Sequence, residues 1–127
     1  MHHSRLCTIV IDCHGDELAP LADFWSQALG KPIVSVDQDG DGKYAELQTG
    51  TDEPIILLQK VDHPSRVHLD IETDNLEAEV ARLERLGARR IAFVRERWWV
   101  LEAPSGHRFC VVQPQRKNFG PHLNRWD

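Results

Sequence analysis

The chain has 127 residues, 28% of them charged, and a formal net charge of −5 with histidine neutral. That length suits a single domain with a real core and no need of metal or disulfide staples. The slightly acidic balance argues against a nucleic-acid binder, which would present a basic face. No apolar run is long enough to span a bilayer.

Residues 6–11 are β-branched and apolar and predict a buried strand. Asp12 interrupts the apolar stretch too early for a signal-peptide core, and His2-His3 is too short for an affinity tag. Asp16 is placed to cap the next helix, in which Leu18, Leu21, Ala22, Trp25, Ala28 and Leu29 form one apolar face. Pro20 falls in its first turn, Gly30 supplies a left-handed stop and Pro32 prevents continuation. Residues 33–36, 44–47 and 55–59 then read as a three-stranded meander. Asp37-x-Asp39-x-Asp41-Gly42 matches the opening of a calcium loop, but its twelfth position is Gln48 and its flanks read as strands, so an acidic hairpin turn is expected.

Residues 66–71 alternate polar and apolar, which puts Arg66, His68 and Asp70 on one strand face. These three either contact a polar ligand or satisfy one another as an Arg–Asp or His–Asp network. Asp74-Asn75-Leu76-Glu77 has capping-box spacing, and Leu76, Val80, Leu83 and Leu86 carry a second helix to Gly87. Residues 91–94, 98–101 and 108–113 predict three more strands, and Trp98-Trp99 sends one indole to each sheet face. His63 and His107 fall in loops. The tail, residues 115–127, is polar without periodicity, and is expected to be disordered or laid on a partner. Three cysteines, Cys7, Cys13 and Cys110, form no C-x-x-C pair and predict reduced thiols in a cytoplasmic protein. No phosphate-binding loop, dinucleotide fingerprint or nucleophile elbow is present.

The order strand, helix, three strands thus occurs twice, at residues 6–60 and 66–113, within one domain spanning 1–114. Leu21-Ala22-Asp23-Phe24-Trp25 with Ala28-Leu29-Gly30 resembles the first helix of the vicinal oxygen chelate superfamily. Residues 66–71, 83–87 and Ala103-Pro104-Ser105-Gly106-His107-Arg108-Phe109 resemble its second module, with Ala103 where the family turn carries aspartate. Within that superfamily the chain most resembles the glyoxalase-like branch.

The resemblance implies an α+β fold of two tandem βαβββ modules, whose mixed sheet curls into a cup with the helices outside. Family enzymes hold a divalent metal there through four strands, with His or Glu as ligands. Carried over, those positions fall on Thr8, Leu57, Arg66 and Cys110, so neither a metal nor another cofactor is expected. The cup-facing candidates for ligand binding are Thr8, Gln59, Arg66, His68, Asp70, Trp98 and Cys110; no catalytic residue is assigned. The function expected first is binding of a small molecule in a homodimer without chemistry. The alternatives are a metal-dependent lyase, isomerase or dioxygenase using His68, and an interaction module whose cup is filled by its own side chains.

Overall fold

The structure is a computed structural model that describes residues 1–36, 42–116, 119 and 122–127. The Asp37–Asp41 motif therefore lies outside the described residues. Along the chain come β1 (His2–His14), α1 (Ala19–Leu29), β2 (Ile33–Val36), β3 (Tyr44–Leu47), β4 (Ile55–Val61), β5 (Arg66–Thr73), α2 (Leu76–Arg85), β6 (Arg89–Val94), β7 (Trp98–Glu102), β8 (Arg108–Val112) and β9 (Asn124–Trp126). The α+β class and the repeated βαβββ order are those read from the sequence. No helix among the described residues is long and apolar enough to cross a membrane.

The chain divides into two compact units, one of residues 8–68 and one of residues 1–7 with 69–127. In the first, the strands run β2-β3-β4-β1, with β1 and β4 parallel and the others antiparallel. Its core is one sheet face against one helix face: Cys13, Leu18, Ala22, Ala45, Leu47 and Leu58 are buried together, with Trp25 and Ile56 packed on them. Side chains alternate along each strand, so β1 gives Ile11 and Cys13 to this core and turns Thr8, Val10 and Asp12 the other way. Helix α1 starts later than the Asp16 signal suggests. Its N-cap is Leu18, with no side-chain cap and Pro20 in the first turn, while the Asp16 carbonyl accepts from Lys60 Nζ at 2.6 Å. It ends at Gly30, in the left-handed conformation (φ 67°), whose N–H donates to the Ser26 carbonyl.

In the second unit the strands run β5-β8-β7-β6, and α2 packs through Val80 and Leu83 on Leu101 and Val111, with Ile71, Trp99 and Phe109 around them. The α2 cap is Asn75, whose side chain accepts from the Ala78 N–H. Asp74, expected to open a capping box, instead accepts from the backbone N–H and Nδ1 of His3. Glu77 and Glu79 in the first turn and Arg82 and Arg85 in the last complement the helix dipole.

The chain ends also depart from expectation. The tail is not loose over residues 124–126: β9 pairs antiparallel with His2, His3 and Ser4 of the same chain. His2 is buried and bonds Glu79, which is itself fully buried. Glu79 also receives a fork from Arg82 at 2.8 and 2.9 Å, and the Arg82 guanidinium lies 3.8 Å from the centre of the Trp126 ring.

Burial pushes the Glu79 carboxyl up, but the bonds from Arg82, His2 and Ser4 outweigh it, and it lies below its ordinary value. A carboxyl lowered on folding contributes stability above its unfolded pKa and loses it as pH falls through the folded one. Acidification below the ordinary value of 4.5 should therefore loosen β9 and the start of β1, an effect that Glu79→Gln abolishes; amide exchange at residues 2–4 measures it.

The β6–β7 hairpin turns through Arg95 and Glu96 at φ 50° and 56°, with the Arg97 N–H donating to the Val94 carbonyl. This is a two-residue turn of the mirror-image type that normally takes Asn-Gly. Glu96→Gly should raise stability by about 0.5–1 kcal/mol, read as a higher urea midpoint with unchanged slope.

Candidate functional site

In the unit of residues 8–68, the sheet face turned away from α1 carries the polar groups. Asp12 is the cross-strand partner of Gln59, and Gln59 that of Tyr44, so the three form a row across β1, β4 and β3. Gln59 Nε2 donates to the Tyr44 hydroxyl oxygen at 3.2 Å. Thr8 and Val10 continue the β1 face and are buried, as is Asp12.

Asp12 gathers two basic side chains. Its Oδ2 accepts from His68 Nδ1 at 2.8 Å and from Arg66 Nε at 3.4 Å. The side chains of Asp12, His68 and Arg66 are 1%, 13% and 49% exposed. A carboxylate can only accept, so the bond fixes the proton of neutral His68 on Nδ1. Asp12 Oδ1 is buried and has no hydrogen-bond partner among the described residues. An unmet buried acceptor costs about 1–3 kcal/mol, and only a minority of buried polar atoms are left so. Burial, and then the charge of Asp12, push the neighbouring Cys13 thiol up, which leaves it a core residue rather than a nucleophile.

Of the residues singled out from sequence, Arg66 and His68 are thus brought together, but around Asp12, which the sequence reading passed over. The available signal was Asp12's phase: it shares a strand face with Thr8 in an otherwise apolar run. Gln59 lies beside this group, and Thr8 is two positions before Asp12 along the same face. The remaining candidates fall in the other unit, where Asp70 is the cross-strand partner of Cys110, and Cys110 that of Val100. Trp99 belongs to the α2 core, stacked on Phe93, so Trp98 is the indole on the helix-free face. Cys110 is half-buried rather than a core residue. His107 is exposed and 2.6 Å from the Ser105 hydroxyl, and His63 bonds the Pro64 carbonyl.

The four positions that the family likeness gives to a metal hold a hydroxyl, an aliphatic chain, a guanidinium and a thiol. The guanidinium sits on the nearest carboxylate, so this donor set does not fit a divalent ion. Within each unit, a pair of possible ligands does meet: Asp12 with His68 in one, and Asp70 with Cys110 in the other.

Two βαβββ modules, each with one helix-covered and one helix-free sheet face, define the vicinal oxygen chelate class. A family profile described as a glyoxalase-like domain matches residues 8–112, and the chain belongs to that family. No curated protein matches the sequence. Among solved structures, methylmalonyl-CoA epimerase from Mycobacterium tuberculosis is similar at 18% identity, over 88% of this chain and 89% of that one, with a TM-score of 0.65. A member of the glyoxalase/bleomycin resistance protein/dioxygenase superfamily from Vibrio splendidus matches at 15% identity, over 87% of this chain and all (100%) of that one, with a TM-score of 0.55. A variant of homoprotocatechuate 2,3-dioxygenase from B. fuscum matches at 15% identity, over 87% of this chain and 32% of that one, with a TM-score of 0.58. At these identities the likeness is one of fold.

Removing Asp12 strands two donors at once. Asp12→Ala should cost about 1–3 kcal/mol, whereas Arg66→Ala, whose side chain is half in water, should cost less than about 1 kcal/mol. Urea midpoints of the two variants test the ranking.

Proposed function

We propose that the protein binds a small anionic molecule on the helix-free face of the unit of residues 8–68, with Arg66 and His68 as its anchors and without the family's metal. The observation that supports this is the half-exposed Arg66 guanidinium, tethered to buried Asp12 by one long contact. Its other N–H groups can serve a carboxylate or phosphate in fork geometry. His68, oriented by the same carboxylate, adds a second polar contact. The reading includes a homodimer, supported by edge strands β2 and β6 that expose Val34, Val36, Ile91 and Phe93. It also places the chain in a reducing compartment, in keeping with its free thiols.

A thermal-shift series with short carboxylates and phosphates tests the binding. A ligand at 100 times its dissociation constant stabilises by about 2.7 kcal/mol, and Arg66→Ala should remove that gain. Unchanged stabilisation in the variant would take Arg66 out of the site. Light scattering of the purified chain should give the mass of a dimer; a monomeric mass removes that part of the reading.

A second reading has one observation in its favour. Histidines that ligate metals commonly donate their other ring N–H to a carboxylate, as His68 does to Asp12. With an epimerase and a dioxygenase among the proteins of similar fold, a metal-dependent reaction is the alternative. Metal analysis separates the two: stoichiometric transition metal in the purified protein favours the second and overturns the first.

A further inference from the structure

We infer that the guest is a monoanion carrying a neutral hydrogen-bond donor, a hydroxyl or an amide, about two strand spacings or 10 Å from its charge. The inference rests on the anion-binding reading above and adds what the far end of the molecule must be.

Asp12 lies between two polar anchors. On one side β5 supplies Arg66 and His68; on the other, Gln59 of β4 is Asp12's cross-strand partner. A molecule held by its charge at Arg66 and laid across the strands reaches the Gln59 amide. That amide gives one N–H to Tyr44; its carbonyl and second N–H match a group that both donates and accepts. Tyr44 is thus a positioning residue, which sets the plane of the amide.

Asp12 determines the charge of the distal group. Its Oδ2 is engaged by both Arg66 and His68, while Oδ1 is buried and has no donor among the described residues. A second anionic group at Gln59, one strand away from this carboxylate, would meet a like charge in a partly buried setting. The site therefore selects hydroxy- or amido-monocarboxylates over dicarboxylates of the same length.

Calorimetric titration of the full chain with hexanoate, 6-hydroxyhexanoate and hexanedioate tests this, since the three share a backbone and differ at one end. The hydroxy acid should bind about tenfold tighter than hexanoate, the equivalent of one hydrogen bond, and hexanedioate weaker than either. Gln59→Leu should reduce the ratio of hydroxy acid to hexanoate to one, Tyr44→Phe should reduce it in part, and Asp12→Asn should admit hexanedioate. Thermal melts establish which variants are folded; should Asp12→Asn not fold, the half-buried Gln59→Leu still decides. Equal binding of all three acids, or a ratio that survives Gln59→Leu, overturns this inference and leaves the anion site standing. No binding by any of them overturns both.

Discussion

Burying a carboxylate on a strand face that no helix covers is unfavourable unless cations meet it. Asp12 forces that condition on its unit. The strand that carries it must present apolar Ile11 and Cys13 to α1 on one side, so the period of two leaves Asp12 nowhere to go but the opposite face. Arg66 and His68, two residues apart on β5, are spaced to reach it together. The shared carboxylate fixes the imidazole tautomer, holds a guanidinium half in water and gives the face a defined arrangement of charge. The candidate site is thus a by-product of satisfying one buried acid.

The other unit meets the same constraint with a different outcome. Glu72 and Glu79 are fully buried, yet Glu72 receives Arg5 at 2.6 Å and the Gln115 N–H at 2.8 Å, and Glu79 receives Arg82 and His2. Carboxylates with both oxygens engaged act as structural rivets, joining the first residues of the chain to α2 and to the segment after β8. Asp12 differs from these two in that its Oδ1 has no hydrogen-bond partner among the described residues.

Alternation and periodicity made the elements legible, because they act over a few residues: the two helices, their glycine stops and all eight strands of the repeat were readable. The strand ends were not: β1 extends back to His2, where its partner is Trp126, more than a hundred positions away. The same limit hid Asp12, whose partners lie over fifty residues downstream. Its charge read locally as an interruption of an apolar run. Asp16 and Asp74 both suggested caps, but the Asp74 carboxylate is taken by His3, far off in sequence, and both helices start later than those signals. Which of Trp98 and Trp99 enters the core depends on register against β8, and no local pattern reports register.

The pairing of β9 with the opening of β1 sets His2 beside Trp126, at a Cα separation of about 5 Å. A linker of a few residues could therefore close the chain into a ring with little disturbance of either strand. The backbone could then be reopened at an exposed turn such as Arg95-Glu96, giving a circular permutant that begins within the second module while every strand keeps its neighbours.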